Sequence, residues 1–271
     1  MNLIKSACLA VALSATTAFV AVAQDYESGL QAFEKEDYLT ALQEWRPLAE
    51  EGNVEAQYYL GIIFDNGYGV EQDYKEAAHW YEKAANQGDA YAQYNLGVMF
   101  EHGEGVQQNY SRAVELYRSA ADQGDAQAQN NLGWLHQNGR GVPQDYAEAV
   151  KWYRKAAEQG DTYAYTNLGF MYQQGYGVPQ DDAEALNWYR TAAEQGDARA
   201  QTNLGFMYQQ GDGIPQDYAL AHMWYNLASA NGDERAADFR SNLAKQMTPE
   251  DISRAQSMAT ECLNSKYENC G

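Results

Sequence analysis

Apolar residues in this chain recur at helical spacing in pairs of short segments, and a turn with two glycines joins the two segments of a pair. One apolar stripe follows Asp89 and comprises Ala92, Leu96 and Phe100. Residues three or four positions apart share one face of an α-helix. The stripe therefore predicts a helix over about 90–101, with Asp89 as its N-cap.

The second segment of the same pair predicts another helix, which begins near Tyr110. The turn before it contains Gly103 and Gly105, at which a positive φ is expected. Equivalent second helices start with Asp followed three residues later by Glu, as at Asp73 and Glu76, a pattern typical of a capping box. The predicted buried stripe of this second helix comprises Ala113, Leu116, Tyr117, Ala120 and Ala121.

The helix pair recurs with a constant period of 36 residues, without insertion or deletion. A further glycine, Gly232, opens a segment in which the pattern departs. A constant period of this length is typical of stacked helical arrays, in which each pair buries its apolar face against its neighbours. The five full copies open at Gly52, Gly88, Gly124, Gly160 and Gly196.

The shared pattern is A-x-x-x-L-G-x-x-[FY]…G-x-G-V…D-[YD]-x-x-A…W-Y…A-A-x-Q-G, and it resembles the Sel1-like repeat, a relative of the tetratricopeptide repeat. The resemblance covers roughly residues 25–246. It implies an all-α fold, a right-handed α/α solenoid of stacked helix-turn-helix repeats. It also implies a scaffold that binds a protein or peptide, without enzymatic activity or a cofactor.

Four segments are expected along the chain. Lys5 precedes a short apolar run that ends in Ala21-Val22-Ala23, which is typical of a secretory signal peptide. A retained membrane anchor is the alternative, but the run is short for a membrane span. The segments are a signal peptide at 1–23, an N-terminal capping helix pair without the two-glycine loop at 24–51, five repeats at 52–231, and C-terminal capping helices with a tail at 232–271.

The formal net charge of the chain is −20, and the charges are dispersed through every copy. Such a charge repels phosphate backbones and anionic lipids, which argues against nucleic acid or membrane surfaces as partners. After signal cleavage no stable membrane insertion is expected. The signal predicts secretion across the inner membrane, and the resemblance suggests the periplasm. The oligomeric state stays open.

Cys262 and Cys270 are the cysteines that remain after signal cleavage. In an oxidising compartment the two residues are predicted to close a small loop by a disulfide. Two free thiols or an intermolecular bridge are the alternatives.

A binding surface is expected on the first helices, which the resemblance places along the concave side of the array. Positions two, five and nine residues after the cap share one helical face, vary between copies and are rich in aromatic residues, which suit protein contact. Burial of Trp134, Phe170 and Phe206 between neighbouring helices is the alternative interpretation. The predicted partner-binding residues are Tyr58, Tyr91, Tyr94, Asn130, Trp134, Tyr163, Phe170 and Arg199.

Two other recurrent features are interpreted as structural. The Trp-Tyr pairs of the second helices, such as Trp188-Tyr189, are assigned to core packing rather than to a sugar-binding platform. A column of asparagines before each Leu-Gly, such as Asn167, is expected to bond to a neighbouring loop inside the fold. A ladder of amides that hydrogen-bonds a peptide backbone is the alternative.

The sequence shows no catalytic motif and no metal-ligand spacing among its 4 histidines, so neither a metal nor another cofactor is expected. A cell-envelope enzyme acting on β-lactams or peptidoglycan is the alternative function, because some secreted cysteine-rich relatives are linked to such activities. Those relatives carry cysteine pairs within their repeats, and this chain carries none there. A host-facing virulence factor is a further alternative.

Overall fold

The structure is a computed structural model that describes residues 26–267 and residue 270. Within this part of the chain the regular elements are α-helices, and no strand is present. The predicted all-α class is therefore confirmed. The predicted signal peptide, residues 1–23, lies outside the described residues and stays a prediction.

The helices follow the predicted pairing, and most are 13 residues long, as in Ala90–His102. Each first helix has an odd number from α3 to α11, and each second helix has the next even number. The bounds are α1 26–34, α2 Tyr38–Glu50, α3 Val54–Asn66, α4 Tyr74–Asn86, α5 Ala90–His102, α6 Tyr110–Asp122, α7 Ala126–Asn138, α8 Tyr146–Glu158, α9 Thr162–Gln174, α10 Asp182–Glu194, α11 Ala198–Gln210, α12 Tyr218–Ala230, α13 Glu234–Ala244 and α14 Pro249–Asn264.

The helices form two compact units, one ending at Asp125 and the other beginning at Ala126. In the first unit α3 packs on α4 and α5 on α6, while α2 contacts α3 and α4 contacts α5. In the second unit α7 packs on α8, α9 on α10 and α11 on α12, and the pairs join through α8 with α9 and α10 with α11. Each unit is thus a short α/α solenoid of helix-turn-helix repeats.

The helix caps explain where each second helix begins. The Asp73 carboxylate accepts hydrogen bonds from the backbone N–H groups of Lys75 and Glu76, as predicted for an N-cap. The backbone N–H of Asp73 itself donates to the Phe64 carbonyl at 2.9 Å, and the Glu76 carboxylate accepts from Trp80 Nε1. The capping box is therefore present only in its aspartate half, because the preceding helix supplies the partner that a reciprocal glutamate would otherwise provide.

A glycine in each first helix lies against a tyrosine ring of the second helix. A Cβ atom on Gly169 would stand 2.6 Å from Cδ1 and Cε1 of Tyr189, which is too close for a real contact. The absence of a side chain at this glycine lets the tyrosine ring fill the space between the two helices. We call these pairs the tyrosine seam: Gly61 with Tyr81, Gly97 with Tyr117, Gly133 with Tyr153, Gly169 with Tyr189, and Gly205 with Tyr225.

The hydroxyl of each seam tyrosine also has a defined partner. Tyr117 Oη donates to the Glu101 carboxylate at 2.7 Å, and Tyr189 Oη donates to Gln173 Oε1 at 3.1 Å. The other three seam tyrosines bond in the same way, each to a side chain 16 positions earlier in its own repeat. The seam thus satisfies a polar group while it buries a large ring.

The C-terminal helices cover the last pair of the second unit. α13 and α14 both pack on α12, and Thr248 caps α14 with Pro249 in its first turn. Cys262 and Cys270 are buried, their Cα atoms are 4.7 Å apart, and the structure joins their sulfur atoms in a disulfide. Tyr267, between the two cysteines, accepts a hydrogen bond from Asn231 Nδ2 at 2.8 Å.

Candidate functional site

The first unit carries three of the predicted partner-binding residues. Tyr91 is 62% exposed, and its ring lies 5.9 Å from that of the half-buried Tyr58. Burial, with Asp89 nearby, raises the pKa of Tyr58 to about 12. Tyr94 is half-buried and lies 5.9 Å from the ring of the seam tyrosine Tyr117. The first unit therefore presents Tyr91 with Tyr58 as its most accessible aromatic pair.

All three predicted aromatic residues of the second unit are exposed. Trp134 is 37% exposed, Phe170 36% and Tyr163 58%, and the neighbouring Phe206 reaches 44%. Trp134, Phe170 and Phe206 are therefore not buried between neighbouring helices, and the alternative interpretation of these three residues is wrong.

A concave site lies among these side chains, and we call it the Arg199 groove. It has a volume of about 290 Å³ and is lined by residues of α7, α9, α11 and α13. Its rings are Trp134 and Phe170, and its cations are Arg199 and Arg235. The remaining lining residues are polar and uncharged: Gln137, Thr166, Asn167 and Asn203. The groove thus combines apolar rings with amides and positive charge, in a chain that is strongly acidic as a whole.

The two arginines of the groove have different surroundings. Arg235 donates from Nε and Nη2 to the buried Asp233 carboxylate, and these bonds hold the pKa of Asp233 below its usual range. Arg199 lies over the Tyr163 ring, 5.4 Å from its centroid. Arg199 forms no ion pair within the described part of the chain. Arg199 is therefore the cation of the groove whose charge is available to a ligand.

Asn130 differs from the other predicted site residues because it lies beneath the surface. It is 9% exposed, and its Oδ1 accepts a hydrogen bond from Asn167 Nδ2 at 2.8 Å. In the same column Asn95 bonds to Tyr81, and Asn203 bonds to Tyr189. The asparagines of the column are half-buried and bond within the fold, as interpreted from the sequence, but Asn95, Asn167 and Asn203 bond to side chains of the preceding repeat rather than to a loop.

A second cavity, of about 550 Å³, lies between α8, α9 and α10 and was missed by the sequence reasoning. Its wall includes Trp188, which is half-buried, whereas Trp80, Trp152 and Trp224 are buried as core residues. The signal for it in the sequence is Thr191, which stands where two other copies have a lysine. The core assignment of the Trp-Tyr pairs therefore fails in part at Trp188.

Neither a metal centre nor a membrane span is found in the part of the chain that the structure describes. No group of three or more His, Cys, Asp or Glu side chains there is arranged to hold a metal ion. No helix among residues 26–264 has the length and apolar character needed to cross a membrane.

The solved structures that resemble this chain along most of its length include two that are at least 35% identical to it. A Sel1 repeat protein from Oxalobacter formigenes is 37% identical, with a TM-score of 0.75, and the match covers 87% of this chain and 99% of that protein. The protein c5321, a protective antigen present in uropathogenic Escherichia coli strains and displaying an SLR fold, is 35% identical, with a TM-score of 0.77. That match covers 91% of this chain but 55% of c5321, so this chain spans about half the length of that relative.

The family model for the Sel1 repeat matches five adjoining segments, and no curated protein matches the chain. Each matched segment begins at the first residue of a first helix, two positions after the glycine that opens the repeat. The segments are 54–89, 90–125, 126–161, 162–197 and 198–233. Because these segments make up more than half of the sequence and agree with the helix pairs of the structure, the chain belongs to the Sel1-repeat family.

Proposed function

We propose that this protein is an exported adaptor that binds a partner polypeptide on the exposed aromatic face of its first helices. Sel1 repeats generally serve as scaffolds for protein–protein interactions. For this protein we propose in addition a binding site, a kind of partner and a compartment. In the second unit the partner-binding site is the Arg199 groove with Tyr163 beside it. The Tyr58–Tyr91 pair is a further contact surface in the first unit.

The observation that carries this proposal is the exposure of large rings in the second unit. Trp134, Tyr163 and Phe170 keep between 36% and 58% of their surface in solvent, although neighbouring positions on the same helices are buried. Tryptophan, tyrosine and arginine are the residues that most often dominate binding energy at protein interfaces. Their concentration on one face of the first helices favours a polypeptide ligand.

The chemistry of the groove indicates the kind of segment that would bind there. Trp134 and Phe170 offer apolar contact, and Arg199 offers a cation that no carboxylate of the described residues neutralises. A segment with apolar side chains next to a carboxylate complements this arrangement. The seam holds the first helices in place, so the protein loses little conformational freedom on binding.

Two observations support export. Residues 1–23 have the sequence pattern of a secretory signal peptide, and the pairing of Cys262 with Cys270 suits an oxidising compartment. We propose the periplasm as the destination and envelope processes as the context. N-terminal sequencing of the protein from the soluble periplasmic fraction is expected to show a chain that starts at Gln24. A chain that keeps residues 1–23 would contradict cleavage and export.

Binding is tested by crosslinked capture from the native envelope with three forms of the chain. The first is the natural protein, and the second carries Trp134→Ala, Tyr163→Ala and Phe170→Ala. The matched control carries Leu39→Ala and Leu263→Ala, which remove exposed apolar side chains outside the groove. Circular dichroism first establishes that all three forms keep their helices.

The proposal expects one protein that the natural chain and the control capture equally and that the triple variant loses. Equal capture by the triple variant would exclude the Arg199 groove as the site. If no protein is captured by any form, the adaptor function is excluded for that envelope.

A further inference from the structure

Two second helices cover a tryptophan ring with their own lysine. The Lys83 ammonium lies 4.4 Å from the centroid of the Trp80 ring, and the Lys155 ammonium lies 3.9 Å from that of Trp152. In both cases the lysine follows the tryptophan by three residues, so the two side chains share one helical face. The distances are those of cation–π contacts, in which the ring face attracts a positive charge.

The corresponding helix α10 has the tryptophan but lacks the cation. Trp188 stands in the place of Trp80 and Trp152, and Thr191 stands in the place of the lysines. Thr191 is short and uncharged, and it lies at the cavity of about 550 Å³ that Trp188 lines. Thr191 therefore provides no ammonium for the Trp188 ring, and both residues line the cavity instead. We call this cavity the Trp188 pocket.

The rings of the Trp188 pocket are held in a fixed arrangement. Tyr165 of α9 stacks with Trp188, with the ring centroids 5.7 Å apart and the planes at 20°. Trp188 Nε1 is buried and has no hydrogen-bond partner within residues 26–267, whereas Trp80 Nε1 donates to Glu76. The glutamate equivalent to Glu76 is Glu184, which lines the pocket instead.

The charges around the pocket favour a cation. Glu158 and Glu184 both line it, and neither forms an ion pair with another described residue. Arg154 is the one cation of the lining, and it donates from Nη2 to Tyr172 Oη at 2.7 Å. Two carboxylates and one guanidinium leave the pocket with one net negative charge, on a chain whose formal charge is −20.

We propose that the Trp188 pocket binds a lysine side chain of a partner polypeptide, with its ammonium over the Trp188 ring and within reach of Glu158 and Glu184. The same fold places an ammonium on the equivalent ring twice, through Lys83 and Lys155. The partner's lysine supplies the ammonium group that Thr191 lacks. An anion would be repelled by the two carboxylates. A neutral side chain would have neither the cation–π attraction to the ring nor the electrostatic attraction to the carboxylates.

The pocket is separate from the Arg199 groove. Tyr172 and Phe170 are two positions apart on α9, and this spacing turns their side chains to opposite sides of the helix. The proposal for the Trp188 pocket is therefore independent of the proposal for the aromatic face. A polypeptide is able to bind at one of the two sites while the other site is empty.

The test follows the indole N–H signals of the natural, nitrogen-15-labelled protein by nuclear magnetic resonance. Trp188→Phe identifies the Trp188 signal as the one that disappears. The probe is the peptide acetyl-Ala-Lys-Ala-amide, and its control is the same peptide with the lysine acetylated, which removes the charge. The charged peptide is expected to move the Trp188 signal in a saturable manner, and the acetylated peptide is expected to leave it in place.

Variants at Thr191 and at the two carboxylates of the pocket test the role of charge. Thr191→Lys supplies the missing intramolecular cation and is expected to weaken peptide binding about fivefold or more, while Thr191→Ser retains it. Glu158→Gln with Glu184→Gln is expected to weaken binding about threefold, because the carboxylate attraction is lost. Circular dichroism checks that each variant keeps its helices.

Three results would overturn the proposal. The first is a Trp188 signal that does not move at millimolar concentrations of the charged peptide. The second is an equal response to the acetylated peptide, which would show that charge is irrelevant. The third is unchanged binding by Thr191→Lys, which would place the peptide away from the ring face.

Discussion

Gly169 and Phe170 are neighbours on α9, yet one position is buried against another helix and the other faces solvent. Gly169 lies under the Tyr189 ring, where a single added carbon would collide with Cδ1 and Cε1 at 2.6 Å. Phe170 is 36% exposed and lines the Arg199 groove. The glycine and its tyrosine recur in all five repeats, whereas the position of Phe170 holds Ile62, Val98, Trp134 and Phe206 in the other four. Steric contact restricts the first position, and the second is free to be adapted to a ligand.

The largest expected effect comes from alkaline pH, which acts on the tyrosine seam at many places at once. Burial raises the pKa of Tyr81, Tyr153, Tyr189 and Tyr225 above the usual value. Below pH 10 these groups are protonated in both folded and unfolded chains. Above about pH 10 the unfolded chain loses the proton first, so each tyrosine lowers the free energy of unfolding by up to about 1.4 kcal/mol per pH unit.

Circular dichroism and absorbance at the tyrosinate band, recorded on the same samples, test this effect. The helical signal is expected to collapse in a steep transition above about pH 10, and the absorbance of the seam tyrosines should rise in the same transition. Tyrosinate formation by the whole tyrosine complement while the helices persist would contradict a buried seam.

A smaller effect is expected from Gly169→Ala, which adds one carbon to the seam. Overpacking against the Tyr189 ring outweighs the better helix propensity of alanine, and the free energy of unfolding is expected to fall by about 2 kcal/mol. Phe170→Ala is the matched control on the next residue, with an expected loss below about 1 kcal/mol because the ring is already partly in solvent. Urea unfolding followed by circular dichroism compares the two, and equal losses would remove the distinction between the two sides of α9.

The smallest effect is expected from Tyr189→Phe, which keeps the ring and removes the hydroxyl. The variant loses the hydrogen bonds to Gln173 and Asn203, so the free energy of unfolding is expected to fall by about 1 kcal/mol. Tyr163→Phe removes a hydroxyl from the exposed face and should change stability by less than about 0.5 kcal/mol. Thermal unfolding of both variants measures the difference, and a neutral Tyr189→Phe would show that the seam depends on its rings alone.

The local structure of this protein was largely predictable because its causes lie close together in the sequence. The helix predicted over about 90–101 is Ala90–His102, with Asp89 as its cap. Gly103 and Gly105 both have positive φ, as the turn required. Caps, turns and apolar spacing depend on residues within a few positions of each other, so one copy of the repeat contains the necessary information. The reciprocal bond of the capping box, from the backbone N–H of Asp73 to the Glu76 carboxylate, does not form. That N–H donates instead to a carbonyl of the preceding helix, which lies outside the capping segment.

The candidate sites were less predictable, because exposure depends on distant neighbours. From the sequence, Trp134 and Phe170 were equally compatible with burial and with a binding role. The packing of the neighbouring helices places both side chains at the surface. Asn130 shares the periodicity of the binding face but is covered and bonded to Asn167 of the next repeat. The Trp188 pocket was missed because its wall combines side chains from three helices.

By itself the sequence determined the family, the 36-residue period, the helix pairs and their caps, because these follow from spacing and local hydrogen bonding. Tertiary structure decided which of the recurring aromatic residues are core and which are surface. Trp152 and Trp188 occupy the same place in their repeats, yet one is buried beneath Lys155 and the other opens into a pocket. The reason is that burial is a property of packed neighbours, which lie on other helices and are not given by the spacing within one repeat.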